Sequence, residues 1–129
     1  MRCEIKLKDI DKKLARWRRI ALDASNSAAA RLMQIDEPLD VKTFVKTMTG
    51  TCDRRIFFSE REGKKLALDP TPKSLISVIG PKGGWDDSEL AAARDSGFEI
   101  VTFGGRILRA ETAAIALTAI LQHRFGDIN

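Results

Sequence analysis

A chain of 129 residues, 43% hydrophobic and 31% charged, has the size and composition of one folded domain with one core, which excludes a disordered or fibrous protein. A net charge of +4 and a pI near 9.3 are compatible with a nucleic-acid partner without requiring one. No run approaches the roughly 20 apolar residues of a membrane span, Cys3 and Cys52 have neither Cys-x-x-Cys spacing nor a nearby histidine, and His123 is the single histidine, so membrane insertion, a metal site, a disulfide framework and histidine-based nucleophilic catalysis are all unsupported and a reducing cytoplasm is the expected compartment.

Met1 to Leu7 alternates weakly and reads as an extended lead-in. From Asp9 the period changes, and Ile10, Leu14, Trp17, Ala21 and Ala24 recur at three and four, which predicts a helix burying that face. Lys12, Arg16 and Arg19 form a basic stripe on another face. It suits contact with RNA phosphates, and equally an ordinary solvated surface. A connector broken at Pro38 follows, then a short helix with apolar positions Val41, Phe44, Val45 and Met48, capped by Asp40 and stopped by Gly50. Arg54 to Ser59 is a strand, Glu60 to Lys65 a charged turn, and Pro70 and Pro72 mark a loop. Leu75 to Ile79 is nearly continuous apolar, the pattern of a parallel strand buried on both faces.

Next comes the loop Ile79-Gly80-Pro81-Lys82-Gly83-Gly84-Trp85. Asp86 and Glu89 then have capping-box spacing for a helix from Asp87 to about Asp95, with Gly97 placed to end it. A strand over Ile100 to Phe103 leads to a second glycine loop, Phe103-Gly104-Gly105-Arg106-Ile107-Leu108. The final helix is expected to bury Ile115, Leu117, Ala119, Ile120 and Leu121 and to end at Gly126. The alternation predicts an α/β fold with a parallel sheet flanked by helices, one domain over residues 1–129. Two glycine loops that leave strand ends and feed helices predict one site at the carboxyl edge of that sheet. Neither loop is a dinucleotide fingerprint or a P-loop, so phosphate binding does not lead.

Val78-Ile79-Gly80-Pro81-Lys82-Gly83-Gly84-Trp85-Asp86-Asp87-Ser88-Glu89 resembles the (L/I)-I-G-P-E-G-G-(F/L)-S-x-x-E signature of the RsmE family of SPOUT methyltransferases, which modify N3 of a uridine in small-subunit ribosomal RNA. Phe103 to Ala114 resembles that family's L-G-x-R-(I/V)-L-R-x-E-T-A-A motif, Arg16 to Ala21 its R-W-x-K-I-A helix, and Arg124 to Asp127 its common ending. The resemblance runs in register over nearly all of the chain. It implies a deep trefoil-knotted fold, an exception to the rule against threaded chains. It further implies a homodimer, S-adenosyl-L-methionine (AdoMet) as cofactor, and ribosomal RNA or the small ribosomal subunit as partner.

By the same resemblance the cofactor lies among Ser59 and Glu60, the loop of Ile79, Gly80, Pro81, Gly83 and Gly84, and the loop of Phe103, Gly104, Arg106, Ile107 and Leu108. Its adenine is then read mainly by backbone groups, as glycine and aliphatic residues allow. Arg109 is the candidate for stabilising a developing uridine anion or holding its phosphate, and Glu111 for orienting that arginine or handling a proton; the alternative for both is an ion pair capping the last helix. Lys12, Arg16 and Arg19 are the candidate RNA contacts, and no metal is implied.

Three departures stand out. The family's N-terminal RNA-binding barrel and opening strand, helix and strand are expected to be missing, the chain corresponding to the C-terminal part only. Lys82 stands where the family has glutamate, and Asp23 to Arg31 lacks the family's Glu-Gln and Gly-Arg. A non-catalytic truncated relic and a dimerisation or RNA-binding module that keeps the knot are the alternatives to an active methyltransferase.

Overall fold

The computed structural model describes residues 9–28, 31–81, 83–103, 108–126 and 128. The elements, in chain order, are α1 (Ile10–Ala28), α2 (Val41–Thr47), β1 (Arg54–Phe58), β2 (Leu75–Val78), α3 (Asp87–Asp95), β3 (Glu99–Val101) and α4 (Ala110–Phe125). The expected α/β alternation is present, with boundaries within two residues of those predicted for α3, β1 and β2. The expected lead-in over residues 1–7 lies outside the described residues. The chain divides into two compact units, one from Val41 onward and one ending at Asp40.

In the first of these units β1 is the middle strand of a three-stranded parallel sheet of order β2-β1-β3, with Arg54 opposite Leu75 and Phe58 opposite Val101. Alternation along β1 sends its side chains to two cores. Phe57 packs with Val45 of α2, Leu90 and Ala93 of α3, Trp85, Phe98 and Ile100. Ile56 and Phe58 pack on the other face with Val101 and with Leu117 and Leu121 of α4. Helices α2 and α3 therefore cover one face and α4 the other. The seven residues of α2 are too few to hold a helix alone, and burial of Val45, flanked by Val41, Phe44 and Met48, supplies what propensity does not.

The start of α3 is the predicted capping box: Glu89 N–H donates to Asp86 Oδ1 at 2.8 Å and Asp86 N–H donates to Glu89 Oε2 at 3.0 Å. Its end is the predicted glycine, Gly97 at φ 83°, a conformation that turns the chain so that Phe98 enters the core. The outer edge of β3 is covered by Lys64, which bridges to Val101; Lys64 N–H donates to Ile100 O and Thr102 N–H to Lys64 O.

Two expectations about burial are corrected. Strand β2, predicted to be buried on both faces, is half-buried at all four positions, because it is the edge strand and β1 takes the centre. In α4 Leu117 and Leu121 are buried, but Ala119 is exposed, Ile115 is 75% exposed and Ile120 37%. The sheet covers only the stripe Ala113, Leu117, Leu121 and Phe125, spaced at four, and a helix that is apolar all round leaves its remaining face open.

In the other unit α1 buries Leu14 and Ala21 only, while Trp17 and Ala24 of the predicted stripe are exposed. Arg18 ties the following segment back, its Nε and Nη2 donating to Ile35 O at 3.1 and 3.0 Å. Among the described residues no helix is long and apolar enough to cross a membrane.

At the amino ends of the strands, Arg54 is buried. Its Nε and Nη2 donate to Glu99 Oε2 at 3.1 and 3.0 Å, its Nη1 donates to Ala67 O at 2.7 Å, and its guanidinium lies 5.2 Å from the centre of the Phe125 ring. Removing Arg54 leaves Glu99 with only the longer, exposed ion pair of Lys64 Nζ at 3.4 Å among the described residues. Arg54→Met is expected to lower unfolding free energy by about 2 kcal/mol, below the range for fully buried pairs because Glu99 is partly exposed. Urea titration followed by circular dichroism measures it.

Candidate functional site

Parallel pairing brings the carboxyl ends of all three strands to one edge. From there β1 continues into Ser59 and Glu60, β2 into Ile79 to Gly84, and β3 through Thr102 to Phe103. These segments and the first turns of α4 enclose a cavity of about 600 Å³, within the range of small-molecule sites.

The wall holds Phe58, Ser59 and Glu60 from the first segment, and Ile79, Gly80, Pro81, Gly83, Gly84 and Trp85 from the second. Phe103, Leu108 and Arg109, then Ala110, Glu111, Ala113 and Leu117 of α4, complete it. The second loop takes its shape from Gly83 at φ 99° and Gly84 at φ 79°, with Gly84 N–H donating to Pro81 O at 3.0 Å. Side chains with a Cβ rarely adopt such angles.

Trp85 holds that loop against the sheet. Its buried Nε1–H donates to Phe58 O at 2.9 Å, and its ring lies 4.4 Å from that of Phe57. A Cβ on Gly80 would come within 3.0 Å of Trp85 Nε1, so the loop backbone rides on the indole. Phe58 and Phe103 stack with ring centres 5.7 Å apart, joining the first wall to the third.

Among the described residues, the charged ones in the wall are Glu60, Glu111 and Arg109. Arg109 is the N-cap residue of α4 in extended backbone geometry, with no side-chain bond to the helix, and Glu111 lies in the first turn, where the helix dipole favours an anion. Among the described residues no ion pair joins Arg109 and Glu111.

Eleven of the sequence-predicted residues thus share one wall: Ser59, Glu60, Ile79, Gly80, Pro81, Gly83, Gly84, Phe103, Leu108, Arg109 and Glu111. Gly104, Arg106, Ile107 and Lys82 lie outside the described residues. Lys12, Arg16 and Arg19 are exposed on α1, in the other unit. Sequence reasoning did not assign Phe58, Trp85, Ala110, Ala113 or Leu117 to the site. Alternation along β1 places Phe58 on the α4 face, and four-residue spacing places Ala113 beside Leu117, so those signals were readable; the indole bond of Trp85 to a carbonyl across the sheet left none.

The family model described as RNA methyltransferase domain matches residues 1–122. Ribosomal RNA small subunit methyltransferase E of Mesomycoplasma hyopneumoniae is 37% identical over 110 residues, 84% of this chain and 48% of that protein. The protein so described from Synechocystis is 35% identical over 122 residues, 88% of this chain and 40% of that protein. The chain therefore spans about half the length of these relatives or less. A crystal structure of a ribosomal RNA small subunit methyltransferase E from Neisseria gonorrhoeae, bound to S-adenosyl methionine, superposes with a TM-score of 0.88 at 29% identity, covering 100% of this chain and 54% of that one.

Trp85→Phe keeps a ring in the same space and removes the N–H that Phe58 O accepts. It is expected to cost about 1–2 kcal/mol of stability, read from the urea midpoint.

Proposed function

The chain belongs to the RNA methyltransferase domain family, in the RsmE group, and from that premise we propose that it is an AdoMet-dependent methyltransferase acting on N3 of a uridine in small-subunit ribosomal RNA. The observation that carries the reading is the convergence of Ser59 and Glu60, the glycine loop after β2, Phe103 and Leu108 on either side of the second glycine loop, Arg109 and Glu111 on one cavity at the carboxyl edge of a parallel sheet. The volume suits the cofactor, and the donor set suits its chemistry. Glycine backbone and aromatic faces receive a flat purine, and two carboxylates favour a cation. Ser59, Glu60, Ile79 to Gly84, and Phe103 to Leu108 are the residues that would hold it, Gly104, Arg106 and Ile107 completing the third loop.

Bound AdoMet supplies an already activated sulfonium methyl group. The protein's own work is to align the uracil ring and to ease loss of the N3 proton. Arg109, at the mouth of α4, stabilises the negative charge that develops on the uracil edge. Glu111, two residues on, takes up the proton, or pairs with Arg109 once the uridine is bound. The exposed stripe of Lys12, Arg16 and Arg19 supplies phosphate contacts that are independent of sequence. The remaining family features belong to the same reading: a trefoil knot, a homodimer and a cytoplasmic ribosomal substrate. The uncovered apolar surface of α4 at Ile115 and Ile120 supports the homodimer.

Calorimetric titration with AdoMet tests the cofactor. Saturable binding is expected, and Gly83→Val is expected to abolish it, because a β-branched residue cannot hold φ 99° without moving the loop. Methyl transfer from labelled AdoMet to small ribosomal subunits tests the reaction. Arg109→Ala is expected to slow transfer by about 100-fold or more while leaving AdoMet affinity within about threefold. Cofactor binding without transfer to any ribosomal RNA would favour the non-catalytic alternative.

A further inference from the structure

We infer that Arg61, which is outside the cavity wall, is a positioning residue that latches the loop after β1 to the glycine loop after β2. Arg61 Nη2 donates to the backbone carbonyl of Trp85 at 2.6 Å. A charged donor at that distance makes a strong bond. Trp85 is thereby tied at both of its polar ends to one short segment: its indole N–H to Phe58 O and its carbonyl to Arg61. Ser59 and Glu60, both in the cavity wall, lie between those two attachment points. The first and second loops consequently move as one body, and the distance across the cavity from Glu60 to the Gly80–Gly84 backbone is set by Arg61.

The turn that carries Arg61 is itself held. Arg61 N–H donates to Ser59 Oγ at 3.4 Å, and Lys64 is bridged to Val101. An ion pair of 2.9 Å between Glu62 and Arg94 attaches the same turn to α3, but both side chains are about half exposed, so this contact is worth little. Fixing a long side chain costs rotamer entropy, and among the described residues the hydrogen bond that offsets it for the Arg61 guanidinium is the one to Trp85 O. An arginine that served the turn alone has no need to reach across to the other loop.

The latch rests on the proposal that AdoMet occupies the cavity, and its test separates the two claims. The background variant is Trp17→Phe, which leaves Trp85 as the single tryptophan of the chain. Into it are placed Arg61→Met, which keeps the length and removes the donor, Arg61→Lys, which keeps a donor, and Glu62→Gln, which loosens the turn's other tie. The latch predicts that Arg61→Met makes Trp85 more accessible to acrylamide quenching and weakens AdoMet binding about tenfold. The unliganded thermal midpoint should fall by roughly 4–8 °C, as the loss of one such bond does, with the fold retained. Arg61→Lys should restore most of the quenching and affinity effects, and Glu62→Gln should change neither. Quenching and affinity unaltered in Arg61→Met would overturn the latch alone. A background protein that binds no AdoMet would overturn the proposed function and this positioning role together.

Discussion

Parallel pairing of three short strands is the constraint on which the site depends. With β1 between β2 and β3, every strand runs the same way, and all three carboxyl ends reach one edge of the sheet. An antiparallel neighbour would send its glycine loop to the opposite edge and divide the cavity wall. Each return needs a crossover of roughly a dozen residues or more, and residues 59–74 make the one from β1 to β2 without a helix. The chain makes the other with α3 between β2 and β3, where a capping box and a terminal glycine confine the helix to nine residues. Burial of β1 on both faces, with Phe57 turned to α2 and α3 and Phe58 to α4, locks the middle of the arrangement.

The cavity built on that edge is made mainly of backbone and apolar surface. This composition suits a ligand recognised by shape and by the hydrogen-bonding edge of a ring. Among the described residues the cavity wall holds three charged ones, Glu60, Arg109 and Glu111, which the proposed reaction would use for the cationic centre and for developing charge. Trp85 links this chemistry to stability, because the bond that anchors the glycine loop also satisfies the carbonyl of Phe58 at the buried end of β1.

Much of this was legible in the sequence wherever a local signal determines local structure. Asp86 with Glu89, and Gly97 at the end of α3, act within one or two turns of backbone, and their structures follow from spacing alone. The cavity wall was legible for a different reason. Two glycine motifs, each leaving an apolar strand, must converge if the sheet is parallel, and the family resemblance named the third segment. Burial was harder to read, since it depends on what covers a surface rather than on the surface itself. Leu75 to Val78 is as apolar as a central strand and is an edge strand here. Ile115 and Ile120 are as apolar as Leu117 and Leu121, yet only the second pair faces the sheet. The reach of Arg61 to a carbonyl 24 residues away is a tertiary contact between two loops that no periodicity announces.

The central claim is that AdoMet lies between the three loops at the carboxyl edge of the sheet. The most direct test is a crystal structure of the chain with S-adenosylhomocysteine, the product form of the cofactor. The account predicts ligand density against Gly80, Gly83 and Gly84 on one side and Phe103 and Leu108 on the other, with the homocysteine sulfur facing Arg109 and Glu111. Density at any other place on the molecule, or a cavity filled by solvent at saturating ligand, would contradict it.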